Sequence, residues 1–570
     1  MLAQPLPALA IPASLEASLY ARLDRHKSAG ELARIGACIG RAFSRELLAA
    51  VSDKKGSEFD EIVEQLIRTE LVLQRGTPPD VTFVFTHALV QDAAYNSIVK
   101  RDRPSIHARI ADALEHEFQK SVANEPELLA HHRTEAGHLV AAIPLWRRAG
   151  ESAIARMALQ EAVAYLEKGL SIIPRLAPSH DRDDLELSLR EPLHAARLRW
   201  RGWSASEVGV NATAILWLAQ RRRRPQSLLV GLWGTWVNTI TQGRIAEALD
   251  WARRLLEEGT QAGDVDLQIL GYRASLCSHF YLGEHQRAQE HRARADALYD
   301  PQRAGRWTEL TGSDVRISVG IFASQSLWMH GYPDRATRLS DQKDAEARRL
   351  GQPFDIGWAL TWGAYVFDYQ RDHNRLLARA EEADHIAREQ SIPVLYNALV
   401  PMNRGLGLLR QGRLPEAIAS LRRGIDGWRA RGGQLNLPYL KSALAEALTL
   451  QGDAEAGFRL AEESLEQIER SGWRERAWLP ETLRLKGWIR MQQGRRPEAE
   501  AELRASIEWA RRQHARSWQL RSSTTLAQLL AESGQIDAAR DVLAPIYAWF
   551  TEGFDTYDLT SARAVLDDIG

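Results

Sequence analysis

A glycine followed five positions later by an alanine recurs along this chain, and that spacing constrains the fold more than any other feature. Gly243/Ala248, Gly283/Ala288, Gly331/Ala336, Gly412/Ala417, Gly494/Ala499 and Gly534/Ala539 all share it. Gly452 keeps the register with Gly457 in place of alanine, and Arg371 stands where a further glycine is due. Successive turns are about forty residues apart, with one longer step between Gly283 and Gly331. The fullest copies, "RQGRLPEAIASLRRGI" from Arg410 and "QQGRRPEAEAELRASI" from Gln492, show what each position does. The glycine takes the left-handed conformation that ends one helix without a Cβ clash. Pro415 or Pro497 then suits the first turn of the next helix, and Glu416 or Glu498 favours its N-terminus. The small alanine lets the two helices lie close, and Ala417, Leu421 and Ile425 continue one apolar face. Such a helical hairpin cannot bury that face alone and must stack on its neighbours.

One segment fits a known repeat consensus. In "PLWRRAGESAIARMALQEAVAYLEKGLSIIP", Trp146, Gly150, Ala162, Gly169 and Pro174 stand at signature spacings of the tetratricopeptide repeat. The later units resemble that family with longer helices. About ten hairpins run from Ala141 to the C-terminus, the second of them ("RWRGWSASEVGV") poorly matched. The expected fold is all-α, a tetratricopeptide-like right-handed superhelical solenoid over residues 121–570.

Residues 14–120 read differently. "SLEASLYARLDRH", "AGELARIGACIG", "RELLAAVSD" and "EFDEIVEQLIRTEL" are short amphipathic helical patterns. Apolar runs over Leu71–Arg75 and Val81–Phe85 flank a Gly-Thr-Pro-Pro-Asp turn and predict a β-hairpin. A helix follows, with Thr86 as its expected N-cap. Helices, a two-stranded wing and a helix make a winged-helix-like module, preceded by an extended tail over residues 1–13.

"IPASLEASLYARLDR", "FTHALVQDAAYNSI" and "ELLAHHRTEAG" resemble the segment that follows the ATPase module in bacterial signal-transduction ATPases of the STAND class. The likeness is to large proteins that join a class III adenylate/guanylate cyclase domain, an AAA-like ATPase and tetratricopeptide repeats. "APIYAWFTEGFDTYDLTSARAVLDDI" is similar to the end of such proteins. The resemblance covers nearly this whole chain, but only the C-terminal half of the family. It implies a regulatory scaffold that binds a protein or peptide and relays to an ATPase or cyclase module. It also leaves two alternatives, a fragment of a multidomain cyclase/ATPase and a STAND-type transcriptional regulator. The family's phosphate-binding loop ends in Gly-Lys-[Ser/Thr], and no Gly-Lys pair occurs in these 570 residues. Nor is there an α/β region carrying the paired aspartates of a class III cyclase. No catalytic residue and no cofactor are expected of this chain.

A formal net charge of −1, with 26% charged residues, argues against general attraction to nucleic acid or anionic membrane. The helix entering the wing carries Glu58, Asp60, Glu61, Glu64 and Glu70 against Arg68, the wrong sign for a DNA phosphate row. Cys38 and Cys277 give no disulfide framework or metal spacing, so a cytoplasmic setting is expected. The N-terminus lacks the charged and apolar regions of a signal peptide. Among candidate sites, His131, His132 and His138 form the dense histidine group, read as packing with no metal expected. Arg221–Arg224 reads as a solvated loop. Eighteen tryptophans are many, and aromatics recur just before the turns: Phe280, Tyr281, Trp328 and Tyr369. These four are the expected partner contacts in the concave groove.

Overall fold

The computed structural model describes residues 20–21, 23–77 and 80–570. The tail expected over residues 1–13 lies outside them. Two compact units emerge, Met1–Trp200 and Arg201–Gly570. The division falls well beyond residue 120, in the segment where the repeat pattern is weakest. The physical reason is that helix Pro126–Glu135 packs on both helix Arg103–Glu117 and helix Leu139–Ala155, which ties the first hairpins to the N-terminal module. The fold is all-α and tetratricopeptide-like, with one small three-stranded sheet near its start.

In the first unit, β1 (Ala42–Ser44), β2 (Val72–Arg75) and β3 (Thr82–Phe85) pair antiparallel in the order β1-β3-β2. β2 and β3 are the predicted hairpin, and β1 is an addition to it. Phe83 and Phe85 alternate inward along β3 and meet Phe43 of β1, with ring centroids 5.8 and 5.6 Å apart. The N-cap of helix Ala88–Asn96 is His87, whose ring accepts from the Leu89 N–H at 3.3 Å. Thr86 instead donates its hydroxyl to the Glu70 carbonyl at 3.1 Å, tying the end of the hairpin to the segment that follows helix Gly56–Arg68. On helix Gly56–Arg68, Phe59, Ile62, Val63 and Leu66 are buried while Glu58, Asp60, Glu61 and Glu64 are exposed. That acidic outer face fits poorly against a nucleic-acid backbone. Further on, Gly150 permits helix Leu139–Ala155 to lie on Leu166 of helix Leu159–Ile172, since a Cβ there would stand 2.4 Å from Leu166 Cγ.

In the second unit, one helix of each hairpin precedes the glycine turn and one follows it. The turn glycines all take positive φ, for instance 79° at Gly243, 75° at Gly412 and 75° at Gly534. Arg371, standing in for a glycine, takes 59°. The backbone therefore keeps its turn even where the residue type does not favour it. The longer step after Gly283 is filled by an inserted segment containing the extra helix Ala304–Thr311. The helices before the turns, such as Val265–Leu282 and Val315–Met329, are buried nearly all round, whereas those after the turns bury one face.

Burial on all sides of the leading helices follows from closure of the solenoid on itself. Helices of early and late repeats meet across its axis: Trp328 meets Trp518 at 4.6 Å, and Phe280 and Tyr369 each meet Trp478 at 5.7 Å between ring centroids. Backbone bonds seal the seam, from Gln434 N–H to the Thr241 carbonyl at 2.9 Å and from Ile245 N–H to the Trp473 carbonyl at 3.2 Å. Cys38 and Cys277 are both free and buried. Among the described residues, no helix is long and apolar enough to cross a membrane.

Glu475 lies beside this seam with no exposure. Its Oε1 accepts from the Asn436 N–H at 2.8 Å and from Trp478 Nε1 at 3.0 Å, while its buried Oε2 has no partner. That pattern suits a neutral carboxylic acid, and burial pushes the group up to about 8 against these two bonds. Between the ordinary value of 4.5 and about 8, the folded state holds a proton that the unfolded chain gives up. Glu475 therefore contributes its full stability below pH 4.5 and loses it as the pH rises through about 8. Glu475→Gln keeps the accepting oxygen and removes the titration. Urea unfolding at pH 4 and pH 8.5 should show the variant close to the parent at the lower pH and roughly 2–4 kcal/mol more stable than the parent at the higher. Equal pH slopes in the two proteins would contradict a protonated Glu475.

Candidate partner site in the repeat unit

The four expected contact residues are core residues. Phe280, Tyr281 and Tyr369 have no exposure and Trp328 has 2%, so the structure does not present them to an open groove. They face the axis as their spacing predicts, but the axis is filled by the opposite turn of the same solenoid. Tyr281 accepts a hydrogen bond from Trp362 Nε1 at 3.1 Å, and Tyr369 donates to Gln325 Oε1 at 2.9 Å. The basic run is likewise structured. Arg221 and Arg222 close helix Ser206–Arg222, Arg223 caps it in the left-handed conformation, and the Arg221 guanidinium covers the Trp217 ring at 4.3 Å. Cations in a last turn complement the helix dipole.

Two openings among the described residues border the inserted segment. The first is an aromatic slot of about 50 Å³ near the axis, walled by Trp203, Trp233, Trp358 and Trp428 among others. Trp358 stacks on Trp362 at 4.8 Å and 8°, and Trp203 stands edge-on to Trp358 at 5.5 Å. Arg273 lies against the Trp233 ring at 4.7 Å and donates from Nη1 to Thr311 Oγ1 at 3.1 Å, while its Nε is buried without a partner. Asp355 nearby accepts from the Asp314 N–H at 3.1 Å, yet burial still raises its carboxyl to about 6. Burial pushes the Cys277 thiol up to about 12, which leaves it protonated and without nucleophilic character at neutral pH. The slot has room for a water or two and no reactive group.

The second opening is a cleft of about 390 Å³ between helices His285–Leu298, Val315–Met329 and Pro333–Leu350. Its walls carry Arg292, Asp296, Tyr299, Arg316 and Lys343. Gly320 makes space for the Lys343 stem, since a Cβ there would stand 2.5 Å from it. Arg292 pairs with Asp296 at 3.2 Å, while Arg316 and Lys343 both pair with Glu346, at 3.0 and 2.7 Å. Of the lining side chains, three are cations and one, Asp296, is a carboxylate, while Glu346 and Asp314 beside them balance the charge. The Arg316 guanidinium lies 5.3 Å from the Tyr299 ring centre, and the Tyr299 hydroxyl donates to Asp314 Oδ2 at 3.2 Å. The insert that supplies Tyr299 and Pro301 is anchored by Asp266, which accepts from Trp307 Nε1 and Arg303 Nη1 at 2.9 Å each. The sequence showed the longer step between repeats, but its spacing carries no signal for this cleft.

The histidine group is rearranged. His138 turns to Arg133, with Nδ1 3.1 Å from Nη1, while His131 and His132 are joined by His107 from helix Arg103–Glu117.

No protein-family model matches the sequence. Over 523 residues the chain is 25% identical to an uncharacterized protein of Rhizobium meliloti (strain 1021), covering 90% of this chain and 50% of that protein. The chain thus spans about half the length of the curated relative that it matches. Among solved structures it is similar to a Rap protein complexed with Competence and Sporulation Factor, with TM-score 0.47, 11% identity, and coverage of 66% of this chain and 99% of that one. It is similar also to the APC/C hetero-tetramer Cut9-Hcn1, with TM-score 0.42, 12% identity, and coverage of 92% and 96%. A STAND protein with a tetratricopeptide repeat sensor from Pyrococcus horikoshii gives TM-score 0.30, 10% identity, and coverage of 90% and 65%.

Proposed function

We propose that this chain is a non-catalytic regulatory scaffold of the cytoplasm whose repeat unit binds a protein or peptide through the cleft at the insert. The observation that carries this reading is the cleft's chemistry. It has the volume of a ligand site, three cations on its walls against one carboxylate, and an aromatic ring beside Arg316. An acidic side chain or a chain-terminal carboxylate of a partner suits such a wall, because arginine offers paired donors to a carboxylate. The buried thiol and the absence of a phosphate loop support binding without turnover. Peptide selection on the immobilised protein, run in parallel on Arg292→Glu/Arg316→Glu, tests the reading. Acidic sequences enriched on the parent and lost on the double variant are expected. Selection that does not distinguish the two proteins would overturn it.

Relay to an ATPase or cyclase module is the second part of the proposal. It is supported by the STAND-like "FTHALVQDAAYNSI" segment and by a relative about twice as long. An immunoblot of the source cells against the repeats separates two forms of relay. A band at the mass of 570 residues means action in trans on a separate module. A much larger band means that this chain is the sensor half of a multidomain signalling protein.

A further inference from the structure

Two helices of the first unit bring three imidazoles together. His107 lies on Arg103–Glu117, and His131 and His132 lie on Pro126–Glu135. One ring nitrogen from each lies within 4.8 Å of the others. His107 and His132 are buried and His131 is exposed, so the cluster has an apolar back and an open front. The Nδ1 atoms of His107 and His132 point at each other across 2.9 Å. The remaining nitrogen of His107, Nε2, lies 3.3 Å from the Tyr95 hydroxyl, while His132 Nε2 is buried without a partner.

Proton counting shows why this arrangement is unusual. A neutral imidazole carries one N–H and one lone pair. If His132 donates from Nδ1 to His107, its Nε2 is a bare lone pair in the core. If it accepts at Nδ1, its Nε2–H is an orphaned donor. Either way an atom of His132 is unsatisfied, and ligation through Nδ1 keeps the proton on that same Nε2, so the case for an ion rests on the approach of the three ring nitrogens.

We propose that His107, His131 and His132 form a binding site for a divalent transition ion of the zinc class, which fastens helix Arg103–Glu117 to helix Pro126–Glu135. Tetrahedral zinc with ligand nitrogens at about 2.0–2.1 Å holds neighbouring nitrogens at about 3.3 Å, so the pair at 2.9 Å opens by a few tenths of an ångström while His131, whose nitrogen lies within 4.8 Å of the others, turns inward by up to about 1.5 Å. Tyr95 orients His107 from behind, in the manner of an outer-shell partner. The exposed edge of His131 is the entry path. Solvent at the exposed front would complete the shell, since Glu135, one turn on from His131, lies outside the group of converging ligand atoms.

The test uses the full chain after treatment with a chelator. Titration with Zn²⁺ in a calorimeter, and with Co²⁺ followed by its visible absorption, should each show one equivalent bound with micromolar or tighter affinity. His132→Ala and His107→Ala should abolish that binding, and Tyr95→Phe should weaken it by about tenfold. His131 is exposed, so His131→Ala should lose the ion while the protein keeps its parent circular dichroism and melting. His138→Ala should bind as the parent does. Absence of a stoichiometric event in the parent, or its persistence in His131→Ala and His132→Ala, would overturn the site.

Discussion

Arg521→Met should cost the repeat unit about 3–5 kcal/mol, because it removes the partner of the part-buried Asp558 and one of the two partners of the buried Glu481. The guanidinium donates from Nε to Asp558 Oδ1 at 3.0 Å, from Nη2 to Asp558 Oδ2 at 2.6 Å, and from Nη1 to Glu481 Oε1 at 3.3 Å. It also reaches the Tyr369 carbonyl from the opposite side of the solenoid and lies over the Trp518 ring at 4.9 Å. Methionine replaces the stem but none of these donors, and Glu481 keeps only Arg484, which pairs with it at 2.8 Å. Equilibrium unfolding in urea, followed by tryptophan fluorescence, measures the loss. A change below about 1 kcal/mol would mean that water reaches the network and the seam is open in solution.

Trp478→Ala should have an effect of similar size, about 3–5 kcal/mol, for a different reason. Trp478 is fully buried and joins both sides of the axis, 4.8 Å from Tyr439 and 5.7 Å from Phe280 and Tyr369 between ring centroids. Its removal leaves a cavity at the seam and takes away one of the two donors to Glu475. Amide hydrogen exchange should then quicken at Gln434 and Ile245, whose N–H groups bond across the seam. Protection in the N-terminal unit should not change. Uniform acceleration throughout the chain would count against a local opening. If the variant also exposes Phe280, Tyr281, Trp328 and Tyr369, an apolar-surface dye should bind it more strongly than the parent.

The repeat was legible because its turn is a local device. Six glycine/alanine pairs, together with Arg371 in the glycine register, place the turns, and the backbone at Arg371 obeys the pattern at φ 59°. The β2–β3 hairpin was legible for the same reason, while the three-residue β1 is too short to show a period. The groove was misread because spacing tells which face of a helix looks inward, not how tightly the superhelix winds. Closure depends on pairs such as Trp328 and Trp518, brought together by the summed rotation of the intervening hairpins. His107 was missed because it lies on a different helix from His131 and His132, with no ligand-like spacing to connect them.

The insert at Ala304–Thr311 has one more consequence. A perfect array is degenerate: a guest that fits one rung fits the next as well and can slip along the ladder. A single irregular rung removes that degeneracy. Under the proposed function, a guest reading Tyr299 and Arg316 would have one berth and one polarity, and its complex one stoichiometry. In a structure otherwise built by copying, the misprint would then serve as the address.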